Sequence, residues 1–188
     1  MPVWAWILIA LAIVGLIGLV AWTATRSVRT ERLQKRFGPE YDRTVEASDG
    51  RREAEAELDA RRRRREQLDI RPLDPASSRR YAQLWTDAQR RFVDAPTEAV
   101  GQADALVVQV MRERGYPTEG FEQRSSDVSV DHPEVVENYR AAHTISLANE
   151  QGLANTEELR RAMVHYRAMF AVLLDTDGHS ETTMREAR

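Results

Sequence analysis

The sequence predicts an all-α protein: an N-terminal transmembrane helix, a charged stalk helix, then an antiparallel four-helix bundle. Three observations predict it. Residues 3–22, VWAWILIALAIVGLIGLVAW, carry no charged side chain. Residues 37–68 are rich in Glu, Ala and Arg and poor in large apolar positions. From residue 76 to 175 apolar residues recur mostly three and four apart, the spacing that lines one face of a helix. The expected organisation is an anchor (1–25), a basic juxtamembrane segment (26–36), a charged helical stalk (37–73), a four-helix head (74–176) and a disordered tail (177–188).

As a helix rising ~1.5 Å per residue, the apolar run would cover ~30 Å, the hydrocarbon thickness of a bilayer. No basic residue precedes it, and AWTATRS places Trp22 and Thr23 where a cleavage site would want small residues, so an uncleaved anchor is expected. Arg26, Arg29, Arg32, Lys35 and Arg36 follow it directly. Positive charge stays on the cytoplasmic side, which places the N-terminus outside and the C-terminal bulk in the cytoplasm, at the cell (inner) membrane. Trp4, Trp6 and Trp22 stand near the ends of the span, where indoles settle among headgroups. The bilayer is thus the first expected partner, and these basic residues would attract anionic lipid by ~1 kcal/mol each near the surface. Ala12, Gly15, Gly18 and Ala21 leave room for two spans to approach and form a homo-oligomer, although the spacing is not GxxxG.

The chain has no cysteine, which excludes disulfides, thiolate zinc sites and thiol nucleophiles. Lys35 is its single lysine, a usage that fits GC-rich coding as well as arginine chemistry.

In the stalk, Phe37, Tyr41, Val45, Leu58 and Leu68 are too sparse to bury a face, so a solvated or weakly coiled helix is expected, interrupted at Ser48-Asp49-Gly50. Arg61, Arg62, Arg63, Arg64 and Arg65 follow one another, and successive helical residues turn by ~100°, so the five point around the axis. Glu57–Arg61, Asp59–Arg63, Arg62–Glu66 and Arg65–Asp69 are i,i+4 pairs of opposite charge, each worth ~0.2 to 0.5 kcal/mol. Seven arginines face six acids between residues 50 and 70, which reads as a neutralised spacer. The alternative makes Arg61 to Arg65 contacts for an anionic lipid or nucleic acid. Nucleic acid is disfavoured by the compensating acids and by the anchor.

Pro72 and Pro75 break the stalk, and Asp74-Pro75 opens a new helix. Tyr81, Leu84, Trp85, Ala88 and Phe92 line its inner face. A second helix starts at Pro96, carries Val100, Ala103, Val107, Val110 and Met111, and stops at Gly115 and Pro117. Residues 118–131 show no sustained period and predict a crossing loop pinned by Phe121 and Val128. Asp131 is expected to cap a third helix with Val135, Val136, Tyr139, Ala142, His143 and Leu147 inward. Asn155-Thr156-Glu157-Glu158 resembles a capping box before the fourth, which carries Leu159, Ala162, Met163, Tyr166, Met169, Phe170 and Leu173. Between residues 76 and 178 eleven arginines face sixteen acids, so this head would be held off an anionic leaflet.

His143 and His165 are the candidates for chemistry, each in the middle of an expected helix. Their nearest upstream glutamates, Glu137 and Glu158, stand six and seven residues away, which is no ligand spacing. Asp127, Asp131, His132 and Glu134 gather near one loop end, where acids also serve as caps. GxSxG, HExxH, P-loop and GxGxxG patterns do not occur. No catalytic, metal or cofactor residue is therefore assigned.

RFGPEYD, RRRREQLDIRPLDP, YAQLWTDAQRRFVDAPTEAVGQADALVVQVMRERGYP and SVDHPEVVENYRAAH resemble a family of single-span bacterial proteins, common in actinobacteria. The resemblance covers most of the chain after the apolar run. It implies no activity or cofactor, and it points to Tyr116 through Arg140 as a candidate partner surface, with Tyr116, Phe121, Asp131, His132 and Arg140 at its centre. Some members are described as secreted, whereas the flanking charges here favour a cytoplasmic head. The expected function is a membrane-anchored, non-enzymatic adaptor or scaffold that binds another protein. The alternatives are an anionic-ligand binder using the arginine clusters and a metal-dependent or hydrolytic enzyme using His143 and His165.

Overall fold

Proline at the first helical position sets φ for the turn and lacks only an N–H that would have no partner there. Three helices of the computed structural model, which describes residues 28–174, begin this way. The order is α1 (28–37), α2 (Pro39–Ala47), α3 (Arg51–Glu66), α4 (Pro75–Arg91), α5 (Pro96–Glu113), α6 (Phe121–Asp131), α7 (Val136–Glu150) and α8 (Thr156–Leu174). All regular structure among the described residues is helical, as expected of an all-α chain. No helix among them is long and apolar enough to cross a membrane. The apolar run 3–22, Trp4, Trp6, Trp22, Arg26 and the tail 177–188 lie outside the described residues.

The chain divides into two compact units between Asp59 and Ala60, within α3 and not at Pro72–Pro75. In the first unit the chain reverses at Ser48–Gly50. The Thr30 hydroxyl donates to Glu55 Oε1 at 2.7 Å and the Tyr41 hydroxyl to the same oxygen at 3.1 Å, which lays α3 beside α1 and α2. Arg29 pairs with Asp59 across the same seam. Leu33, Phe37, Tyr41, Ala54 and Leu58 are buried. The expected solvated stalk is therefore a folded hairpin: apolar positions too sparse for one long helix pool when two arms lie side by side.

The second unit holds the end of α3 from Ala60 onward and α4 to α8. Asp74 caps α4, its Oδ1 accepting from the amides of Ala76 at 2.9 Å and Ser77 at 3.0 Å. Helix α5 packs against α4 and α8, and α7 against α8. Ala103, Ala142 and Ala162 are fully buried between them, and Trp85 stacks on Phe170 with ring centroids 4.8 Å apart. Asn155 and Glu158 form the reciprocal cap expected before α8. Leu84 and Leu147, expected inside, are 39% and 45% exposed, at the edges of faces that α4 and α7 bury elsewhere.

Arg114 is buried where α5 ends. Its Nη1 donates to the Leu173 carbonyl at 2.9 Å and its Nε to the Arg71 carbonyl at 3.3 Å, while the Arg71 amide donates to the Arg114 carbonyl at 2.9 Å. The incoming segment, the end of α5 and the end of α8 are thus tied at one end of this unit. The Asn149 side chain donates to the Thr97 carbonyl at 3.1 Å, which brings the α4–α5 and α7–α8 turns together at the other end.

The segment read as a loop is α6, so five helices build this unit. Phe121, Ser125, Val128, Ser129 and His132 follow a helical period, and all but Phe121 are buried. Serine and histidine occupy inward positions, so the period is invisible to apolar residues alone. Asp131 ends α6 and does not cap α7, which begins five residues later at Val136 with no side-chain cap.

Gly115 has φ 96°, and a Cβ there would lie 2.3 Å from the Asp69 carbonyl oxygen. Gly115→Ala is expected to destabilise the fold by at least about 1 to 3 kcal/mol in urea unfolding followed by circular dichroism. Gly101, within α5 with open space around it, provides the contrast. Gly101→Ala is expected to stabilise by up to about 1 kcal/mol.

Candidate functional site

Arg61, Arg64 and Arg65 stand at i, i+3 and i+4 of α3, on one side of the helix. Opposite them lie Ser129, Gln123 and Asp131 of α6. Arg61 Nη1 donates to Ser129 Oγ at 3.3 Å, Arg64 Nη1 donates to Gln123 Oε1, and Arg65 Nε donates to Asp131 Oδ2. Arg62 pairs along its own helix with Glu66 at 2.6 Å, as expected, and Arg63 is exposed. Three of the five arginines thus grip a helix and do not merely space the chain. The expected Arg65–Asp69 pair fails because α3 ends at Glu66, so Asp69 no longer stands one turn beyond Arg65. Asp59 is taken by Arg29.

Asp131 Oδ2 also accepts from the Tyr116 hydroxyl at 2.8 Å. Burial, reinforced by the Asp131 charge, pushes the Tyr116 phenol far above its ordinary value, so it serves as a donor. One carboxylate therefore joins α3, the residues after α5, and α6.

The neighbouring Asp127 is 0% exposed. Its Oδ1 accepts from Gln123 Nε2 at 2.9 Å, while Oδ2 has no partner. Burial pushes this carboxyl upward against the opposing pull of Gln123, Arg64, Arg61 and Arg65. His132 follows α6, its amide donating to the Val128 carbonyl at 2.8 Å. Its ring is buried with Nε2 unpartnered and Nδ1 3.9 Å from Glu134, and burial lowers its basicity.

On the inner side of α6, Phe121 stacks on His143 with centroids 3.7 Å apart and meets Tyr139 at 5.0 Å. Arg124 Nε donates to the Tyr139 hydroxyl at 3.0 Å and its Nη1 to the Thr118 carbonyl at 2.9 Å. His143 Nδ1 lies 4.0 Å from Asp104 Oδ1, beyond hydrogen-bond reach, and that oxygen accepts from the Tyr166 hydroxyl at 2.8 Å. Burial lowers His143 below its ordinary value.

His165 is elsewhere: its Nδ1 meets Asn138 Oδ1 at 2.8 Å. The two histidines thus have separate partners. Among the described residues no group of three or more His, Asp or Glu could hold a metal ion.

The candidate partner surface is largely internal. Tyr116 and His132 are buried, Asp131 is held by Arg65 and Tyr116, and Phe121 covers His143. Arg140 pairs with Glu137 at 3.5 Å on α7. Tyr116, Phe121 and Asp131 thus help seat α6, whereas Arg140 pairs within α7. Arg114, Asp104, Arg124 and Tyr166 were missed as joints. Asp104 carried a signal in its place within the otherwise apolar ADALVV. What the seat offers chemically is proton uptake, through two imidazoles and one buried carboxyl.

The chain matches no protein-family model, no curated protein and no solved structure.

Arg65→Gln and Asp131→Asn are each expected to cost about 1 to 3 kcal/mol in urea unfolding, and the double variant less than their sum. Arg63→Gln is expected to change stability by no more than about 0.5 kcal/mol.

Proposed function

We propose that the protein is a membrane-anchored, non-enzymatic interaction module. The apolar run 3–22 holds it in the cell membrane with the N-terminus outside, and the helical units face a protein partner in the cytoplasm. One observation carries this reading. Polar side chains with chemical capacity, Arg65, Tyr116, Asp131, Asp104 and Tyr166, are engaged with one another, while Val93 and Leu153 stand 82% and 72% exposed. Those two belong to the α4–α5 and α7–α8 turns, which the Asn149–Thr97 hydrogen bond brings to one end of the second unit.

Exposed Asp94, Glu98 and Glu150 flank these turns. The partner that fits is a protein segment with apolar side chains rimmed by arginine or lysine, since apolar contact supplies affinity and opposite charge supplies orientation. Within the second unit this end is remote from the one where Arg71 and Arg114 meet.

A second reading, anionic lipid at the juxtamembrane segment, is favoured by Arg32, Lys35 and Arg36, all exposed on α1. It accompanies the first reading. The Arg61 to Arg65 run supports an anionic ligand poorly, because Arg61, Arg64 and Arg65 are engaged with α6.

Topology reporters fused after residue 40 and at residue 188 are expected to be active in the cytoplasm. Periplasmic activity of both would overturn the orientation. Photo-crosslinking from positions 93 and 153 of the intact anchored chain is expected to give a common adduct, reproduced with the purified partner, and the adduct from position 153 is expected to be lost in Val93→Asp. Adducts that differ between the two positions, or an adduct from position 153 that persists in Val93→Asp, would count against the turn surface.

A further inference from the structure

Among the described residues three buried side-chain atoms lack a hydrogen-bond partner: Asp127 Oδ2, His132 Nε2 and His143 Nδ1. They come from two segments of the chain, yet all lie on or under one helix. Asp127 is in α6, His132 follows it directly, and His143 lies beneath Phe121 of α6 at 3.7 Å. A buried polar atom left unpaired weakens the state that buries it. The rest of the unit satisfies its buried side chains, so weakness is concentrated beneath α6.

The grip on this helix differs from that on its neighbours. Helices α5 and α8 each bury seven apolar side chains, whereas α6 offers Phe121, Val128 and Val130 and is otherwise held by polar contacts from Arg61, Arg64, Arg65, Tyr116 and Tyr139. Elements with few apolar contacts open at lower free energy than the core.

We propose that α6 is a proton-operated latch, seated on the bundle near neutral pH and released when His132 and His143 take up protons.

The charged groups around each ring decide the sign. For His143, Asp104 on α5, Glu150 on α7 and Glu122 on α6 favour the proton, while burial and Arg124 oppose it. For His132, Asp131 and Glu134 favour it, while burial, Arg114 and Arg65 oppose it. Burial is the largest influence on both and holds them below the ordinary value of 6.5. A histidine depressed in the seated state regains its ordinary basicity when released. Its contribution to seating is full above pH 6.5 and is lost as pH falls below that value. Asp127 acts in the opposite sense, since its raised value makes protonation favour the seated state. Release uncovers the His143 and Tyr139 rings that Phe121 covers, so the latch would expose an aromatic face on α7.

Amide hydrogen exchange of the full anchored chain at about pH 7.5 and about pH 5.5, corrected for intrinsic rates, tests this directly. Exchange in residues 121–131, relative to α5 and α8, is expected to quicken about tenfold or more at the lower pH. The double variant His132→Gln, His143→Gln is expected to abolish that change. Equal protection of α6 at both values, loosening of α5 and α8 to the same extent, or a response retained in the double variant would overturn the proposal. The wild-type chain gives a second readout through its histidine ring NMR signals. The signals of His132 and His143 must titrate over the interval in which α6 loses protection, and titration of either outside it would also overturn the latch.

Discussion

The carboxylate of Asp131 is the point on which the arrangement of the second unit turns. It receives the Arg65 guanidinium from the end of α3 and the Tyr116 hydroxyl from just beyond α5, and it is itself the last residue of α6. Its contacts come from residues 66 and 15 positions away, so the bond closes a long loop and a short one at once. Charge-assisted hydrogen bonds of this kind exceed neutral ones in strength. Without it, α6 would keep only a narrow apolar strip and the contacts of Arg61, Arg64 and Arg124.

That junction explains the arginine run. Charge compensation along the stalk accounted for Arg62 and Glu66, and α3 does carry that pair. It could not reveal that Arg61, Arg64 and Arg65 share a face meeting Ser129, Gln123 and Asp131, because those partners lie about sixty residues further on and look like a polar loop. Five consecutive arginines do point around an axis, but three of any such five still fall on one side.

The legible parts were the ones whose signals are local. Asp74-Pro75, Pro96, Gly115 and Asn155–Glu158 mark helix ends through chemistry within a few residues, and each end lies where that chemistry puts it. The faces of α5 and α8 follow from apolar period alone. Two features were illegible for one shared reason, that burial can be assembled from positions too weak to register singly. In the first unit Phe37, Tyr41 and Leu58 belong to two arms. In α6 the inward period is written partly in Ser125, Ser129 and His132. Of the candidate surface from Tyr116 to Arg140, Tyr116 and His132 are buried and Asp131 is held by Arg65 and Tyr116, while the exposed apolar side chains Val93 and Leu153 lie in turns at the far end of the second unit.

The absence of cysteine makes the central contact directly measurable. In the double variant Arg64→Cys, Gln123→Cys, a short bifunctional thiol reagent at neutral pH should join residues 64 and 123 within one chain. Arg63→Cys paired with Gln123→Cys should give little product, since Arg63 lies outside the gripping face. Equal yields from both pairs, or no intramolecular product from positions 64 and 123, would contradict the clamp of α3 on α6.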